Sequence, residues 1–348
     1  MKGRLRREDR LFFTEQIALL LAAGVSIIPA LELLINSAKK RSLRDFLIIL
    51  KEGVKAGSSI SSVLIRCKSS FSTLYIALVE VGEVSGKLPE MFSYLGAIER
   101  DRLSALKSIR KALMYPMIVI VVAIGVLLFI LIAVVPTFEM LYQSSGVELP
   151  IITQRVLAFS RFLLSKRGGW VLIYLILFIV SMRIVLRRSD YLRNQIDRKI
   201  LKIPMVGELL LTSFNAGFSQ VVGVMLASGI PLVKAIQLYE MGVANTHVKQ
   251  QLVSLRAALE RGDSFYSVAK TQNIFSDVAL TLISVGEVSG KLVAVLDRSG
   301  SYHADIVTQK VDAFIALIDP LSLLFIGGIV GVILVALYLP MFSMGMAI

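Results

Sequence analysis

The chain has 348 residues, 55% of them hydrophobic and 18% charged, with a mean hydropathy of +0.74 and a formal charge of +13. Soluble domains carry about 25% charged residues, so this balance excludes a disordered chain, a nucleic-acid-binding tail protein and a disulfide scaffold. It points to a membrane protein with sizeable water-exposed parts. The single cysteine, Cys67, excludes an intrachain disulfide and a cysteine-based zinc cluster, and His247 and His303 stand too far apart for a local metal motif.

The N-terminus is basic (MKGRLRREDR), and Ile17 to Leu31 carry no charge. Gly24 and Pro29 interrupt that run, and a similar segment recurs at Val221–Val233, where no signal peptide can act, so it belongs to a folded domain. Leu11, Ile17, Leu20 and Leu21 follow near-helical spacing, and Leu43, Phe46, Leu47, Leu50 and Val54 do so more cleanly. Breakers separate such segments at Gly24 and Gly57-Ser58-Ser59, and Ser42 and, in the second half, Asp263 stand where helix N-caps are expected. The spacing predicts about six short helices over residues 1–111, the last (Glu90–Lys111) running into an apolar stretch.

At Val81–Leu88 the chain reads VGEVSGKL. The Gly-Lys pair suggests a phosphate loop but does not make one. Three residues, not four, separate Gly82 from Gly86, and Leu88 rather than a magnesium-binding hydroxyl follows Lys87. A tight helix–turn–helix accounts for the pattern: Gly86 takes a positive φ at a helix end, Gly82 lets backbones approach, and Glu83 caps the next helix or meets a basic side chain. The alternative is a docking or metal-binding edge.

Nineteen uncharged residues lie between Pro116 and Pro136, and nineteen between Pro320 and Pro340, each about 28 Å long as a helix. A third stretch, Gly168 to Met182, has 15 and reaches membrane length by including Arg183 to Leu186, if Arg183 snorkels as Lys166 and Arg167 would at the other end. Residues 1–111 hold 19 Lys and Arg, 137–167 four and 183–319 fifteen, with none after Pro340. The long basic segments are therefore expected in the cytoplasm, with the connector 137–167 and the tail 341–348 outside. The basicity reads as topology and contact with anionic lipid rather than nucleic-acid binding.

VGEVSGKL recurs unchanged at Val285–Leu292, an offset of 204 that also carries Pro116 onto Pro320 and Pro136 onto Pro340. Upstream, LAAGVSI (Leu21–Ile27) matches LASGIPL (Leu226–Leu232) at an offset of 205. The chain is an internal duplication of a helical domain ending in a span. Residues 168–186 return the chain, so that both domains face one side as a parallel repeat about a pseudo-two-fold axis along the membrane normal. The expected fold is an all-α membrane protein with two homologous cytoplasmic six-helix bundles and three transmembrane helices. Its parts are bundle 1 (1–111), spans 112–136, 168–186 and 320–340, connector 137–167, bundle 2 (187–319) and tail 341–348. The second turn puts Gly286, Glu287, Gly290 and Lys291 in the places of Gly82, Glu83, Gly86 and Lys87.

No catalytic, cofactor or metal constellation stands out. His303, with Ser299, Ser301 and Asp305 nearby, fits an exposed helix face. The first and third spans hold no charge, which disfavours an ion or proton path. Gly327 and Gly331, with Gly328 between, form a small-xxx-small pattern for helix packing. A small transporter or channel subunit, or a general membrane adaptor, are the alternatives to a structural role.

The paired G-E-x-S-G-K-L turns, Tyr115-Pro116 at the first span's entrance, Val-Val-Pro-Thr-Phe at its exit (Val134–Phe138) and Glu148-Leu149-Pro150 shortly after resemble the GspF/PilC/ComGB family. These are inner-membrane platform proteins of type II secretion systems and type IV pili, and the resemblance covers nearly the whole chain. It implies two cytoplasmic six-helix bundles with three membrane helices in the bacterial inner membrane, the N-terminus cytoplasmic and the C-terminus outside, and no enzyme activity. The implied partners are a hexameric cytoplasmic ATPase, a pilin or pseudopilin, other inner-membrane assembly proteins and further copies of the chain, with no nucleic acid. Some members bind a divalent metal through the motif's Glu and a nearby acidic residue. Lys87 and Lys291 follow the second glycine here, and no metal site is assigned to Glu83 or Glu287.

Overall fold

The computed structural model describes residues 5–67, 69–130 and 190–345, with isolated positions at 158, 174, 177, 178 and 181. The connector 137–167, the motifs Val134–Phe138 and Glu148–Pro150, and nearly all of the expected span 168–186 lie outside the described residues. Among the described residues every regular element is helical. The first repeat forms α1 (Arg7–Ala22), α2 (Ile27–Ser37), α3 (Arg41–Lys55), α4 (Ile60–Arg66), α5 (Thr73–Ser85) and α6 (Leu88–Phe129). The second follows α7 (Asp190–Ile200) with α8 (Val206–Ala227), α9 (Leu232–Glu240), α10 (Thr246–Glu260), α11 (Phe265–Thr271), α12 (Asp277–Ser289) and α13 (Leu292–Ala316), and α14 (Ile318–Gly345) closes the chain.

Helix starts are set by short polar side chains. Ser59, Ser72, Asn245, Ser264 and Ser276 each accept from a backbone amide three residues on, satisfying a donor that has no intrahelical partner. Two expected caps are displaced. Helix α3 begins at Arg41, so Ser42 lies inside it and Lys40 precedes it without a side-chain cap. Asp263 sits one residue before the cap, where Ser264 Oγ reaches the Ser267 amide.

Each bundle closes over aromatic rings. Phe13 packs edge-on against Phe46, Phe71 and Phe92; in the second bundle Phe218 meets Tyr239 and Phe275 edge-on, with Phe214 beside it. Helix α3 buries Leu43, Phe46, Leu47 and Leu50, the stripe its spacing predicts. Helix α1 buries Ile17 of the stripe expected of it and only part of the rest. Its inner stripe is Asp9, Arg10, Phe13, Thr14, Ile17 and Ala18, and Leu11, Leu20 and Leu21 are half-buried at its flank. Arg10, buried on the same stripe as Phe13 and Ile17, is a charge that apolar periodicity does not anticipate.

The chain divides into two compact units. One holds both bundles (residues 1–107 and 193–311) and the other the membrane-directed segments (residues 108–192 and 312–348). Three described helical stretches are long and apolar enough to cross a membrane: Leu88–Val126, Leu292–Gly328 and Val206–Ala227. The first two have apolar windows only 6% buried, whereas Val206–Ala227 is 56% buried. The third is therefore α8, the central helix of bundle 2, which hides its apolar face against protein. Along the exposed stretches Met117 (69%), Val121 (68%), Leu323 (73%) and Leu324 (74%) face outward, as lipid-facing residues do.

The two entry prolines differ. Pro320 lies in the first turn of α14, where no amide is missed. Pro116 sits inside the unbroken 42-residue α6, not in a first turn as its sequence context suggests, so one internal hydrogen bond is absent there. At about 1.5 Å per residue, α6 amounts to roughly 63 Å of helix.

Candidate functional site

The repeated octapeptide forms the end of one helix, a turn and the start of the next, in both repeats. Gly86 (φ 71°) and Gly290 (φ 68°) end α5 and α12 in the left-handed conformation, which a side chain resists. A Cβ on Gly82 would stand 3.0 Å from Met91 Cγ and 3.2 Å from Leu88 Cα; one on Gly286 would overlap Val295 and approach Leu292 Cα at 3.3 Å. The incoming helix crosses here because there is no side chain in its way. Ser85 and Ser289 turn their hydroxyls back onto the Val81 and Val285 carbonyls, 2.7 and 2.6 Å away.

The glutamates act on an earlier helix, not the next one. Glu83 accepts from the Ile60 amide, from the Ser61 amide at 3.0 Å and from the Ser61 hydroxyl at 2.6 Å. Glu287 accepts from the Phe265 amide at 2.6 Å, the Tyr266 amide at 2.8 Å and the Ser264 hydroxyl at 2.9 Å. Each carboxylate thus caps the N-terminus of the short helix α4 or α11, where free amides and the helix dipole favour a negative charge. Burial alone would raise the Glu287 carboxyl, but the Tyr266 and Phe265 amides and the Ser264 hydroxyl outweigh it and hold it below the usual carboxylate range. Among the described residues no three His, Cys, Asp or Glu side chains gather as a metal would need.

The lysines diverge. Lys87 Nζ crosses to the second repeat and donates to the Ala227 carbonyl at the C-terminus of α8, at 2.9 Å, a position where a cation meets the negative end of the helix dipole. Lys291 is exposed. At the opposite end of α5 from Lys87, Leu74 packs on Gly242 so closely that a Cβ there would lie 2.6 Å from Leu74 Cβ. A cleft of about 250 Å³ opens beside it, between Leu74 and the Tyr239–Val248 segment. A true two-fold between the repeats would close a reciprocal contact at Lys291. Lys291 makes no such contact, so this joint is one-sided.

A second constellation is absent from any motif. In bundle 1, Arg10 and Glu99 form an ion pair at 2.5 Å with both side chains 9% exposed, and Arg10 also donates to the Ser70 carbonyl at 2.6 Å. The repeat offsets place Asn215 and His303 in their stead. Asn215 donates to the Ile274 carbonyl at 3.0 Å, as Arg10 does to Ser70. His303 is 2% exposed, not on the exposed helix face its neighbours suggest. Its Nδ1–H donates to the Ser299 carbonyl at 2.7 Å and its Nε2 accepts from the Ser276 hydroxyl at 2.6 Å. Burial lowers its basicity, the Ser299 carbonyl opposing. Beside the pair lies a cavity of about 370 Å³ whose lining includes Asn215, Ile274, His303 and Ile306. Aligning the two repeats would have exposed this pair; apolar periodicity could not.

Gly327 and Gly331 lie on α14, and a Cβ on either would meet nothing within 4 Å.

Two homologous helical bundles, each feeding a membrane-length apolar helix, define a duplicated integral membrane protein without strands among its described residues. The sequence profile described as "Type II secretion system (T2SS), protein F" matches residues 13–136 and again 218–340. The chain belongs to that family. It is similar to the type IV pilus assembly protein TapC of Aeromonas hydrophila, 32% identical over 99% of this chain and 83% of the relative. It is also similar to the type IV pilus assembly protein PilC of Pseudomonas aeruginosa, 30% identical over 97% and 90%. A type II secretion system protein F of Pseudomonas aeruginosa is 27% identical over 98% and 84%.

Proposed function

We propose that the chain is the inner-membrane platform of a type IV pilus or type II secretion machine, working through mechanical coupling rather than catalysis. The observation that carries this reading is the duplicated bundle–span unit, matched twice by the protein F family. In this reading the bundles (1–111 and 187–319) lie in the cytoplasm and meet a hexameric assembly ATPase. The spans (112–136, 168–186 and 320–340) meet pilin or pseudopilin subunits, and several copies of the chain work together. The connector 137–167 and the tail 341–348 face outward, and Gly327 and Gly331 serve helix packing within the membrane. The octapeptide turns are docking edges, the first engaged within the chain through Lys87 and the second, with Lys291 exposed, open to a partner.

Crosslinking in the native membrane, purification and mass spectrometry test it. Recovery of an assembly ATPase together with a pilin-like subunit is expected, and the pilin's identity names the machine. Absence of both, under conditions that capture other membrane complexes, overturns the mechanical role. Gly86→Val and Gly290→Val are expected to leave insertion intact and stop assembly; normal assembly in both removes the turns from the mechanism.

A further inference from the structure

The joint between the repeats uses the two most strongly repeated segments of the chain. Its donor is the first octapeptide, through Lys87; its acceptor is the C-terminal end of α8 in LASGIPL, at the Ala227 carbonyl. The other donor, Lys291 in the identical octapeptide, is exposed, and so is the matching acceptor, Ala22 in LAAGVSI at the end of α1. The two acceptors have the same local geometry. In α1, Ala23, Gly24 and Val25 donate to the carbonyls of Leu19, Leu21 and Leu20; in α8, Ser228, Gly229 and Ile230 donate to Val224, Leu226 and Met225, position for position. Gly24 (φ 80°) and Gly229 (φ 86°) make the same left-handed turn. In both, this pattern leaves the Ala22 and Ala227 carbonyls outside the helix's own bonding, pointing the negative end of the dipole at whatever cation approaches.

We infer that copies of this chain join head to tail: the Val285–Leu292 turn of one chain docks at the end of α1 of the next, Lys291 donating to the Ala22 carbonyl. The occupant is a second copy because the complementary surface already exists in the chain, used once and left open once. Such a contact is heterologous, joining different patches on the two partners, and it propagates until it closes. Given the platform topology proposed above, on which this step rests, all copies share one membrane orientation, so successive copies are related by rotation about the membrane normal and form a ring where that rotation closes. The interchain joint is looser at one point. Ser37 stands where Gly242 does and Val278, 38% exposed, where Leu74 does, so the close approach seen within the chain is not repeated.

The test uses full-length chains in membranes. Lys291→Cys on a chain with one tag and Ala22→Cys on a chain with another are co-expressed and treated with a short bis-maleimide, whose span replaces the lysine side chain. Cys67 is buried and present throughout, so unsubstituted chains report its background. Lys87→Cys with Ala227→Cys on a single chain is the positive control. A covalent dimer bearing both tags, absent from either variant alone, is the expected result. The control crosslinking without a two-tag dimer overturns the inference. A failed control also overturns it, by removing the contact it is built on, and a dimer from either variant alone replaces it with a symmetric contact. None of these readouts involves pilus assembly or secretion, so failure of the platform reading shows separately, in the partner capture.

Discussion

Glu83 and Glu287 show how a single side chain ties sequence-distant helices together. Each carboxylate crosses more than twenty residues of chain to hold the first amides of a seven-residue helix, which is too short to be stable alone. Glu287→Gln keeps the shape but loses the charge-assisted bonds, and is expected to cost about 1–2 kcal/mol, measurable as a lowered melting temperature of the detergent-solubilised chain. Because the Glu287 carboxyl is held below the usual range in the fold, its contribution is full above an unfolded value of about 4.3 and is lost as pH falls through the folded one. The Gln variant should therefore flatten the acid limb of the stability profile. Gly86→Ala and Gly290→Ala each meet open space, so their cost is conformational, about 1–2 kcal/mol. Gly82→Ala instead drives a methyl against Leu88 backbone and should cost about 1–3 kcal/mol through overpacking. Cys67, 5% exposed and with its thiol pushed up by burial, is a poor topology label despite being the sole cysteine.

Between helices, the same two positions are solved twice with different chemistry: a buried ion pair across α1 and α6, and a neutral Asn–His set across α8 and α13. Removing one partner of a buried pair strands a charge, so Glu99→Ala is expected to cost about 3–5 kcal/mol. Arg10→Asn with Glu99→His, copied from the second repeat, should recover most of that loss, and a double-mutant cycle by thermal melting measures the coupling. His303 gives bundle 2 a pH dependence at this site. Burial holds its folded basicity below an unfolded value of about 6.5, so stability is full above that value and declines as pH falls below it, the unfolded chain taking the proton first. His247, lowered by burial and by Arg198, acts in the same direction. His303→Asn should remove part of the loss between pH 7.5 and 5.5 and leave the share owed to His247.

At the scale of the whole molecule, the two bundles form one unit, and the contacts between them include Lys87 on Ala227 and Leu74 on Gly242. Gly242→Val collides with Leu74 and is expected to part the repeats while leaving each core intact. Calorimetry should then resolve two melting transitions in place of one; a single unchanged transition would show that the joint carries no cooperativity.

The repeat, the helical class and the apolar lengths of α6 and α14 could be read from sequence, because membrane spans and duplications are recorded in local composition and in register. So could the positive φ of Gly86 and Gly290, which follows from a residue type with no Cβ penalty. The charged part of α1's buried face was not legible, since Arg10 and Glu99 neutralise each other only when α1 and α6 lie side by side. Nor was the difference between Val206–Ala227 and the lipid-facing helices: both are apolar, and only packing inside a bundle distinguishes a core helix from a span. The identical octapeptides make the point most directly. Sequence determined that both would be turns on the same glycines; that their glutamates reach back to an earlier helix was decided by the fold. Tertiary structure decided that Lys87 is spent within the chain while Lys291 faces outward, because the two repeats meet in a one-sided joint that uses one donor and leaves the other open.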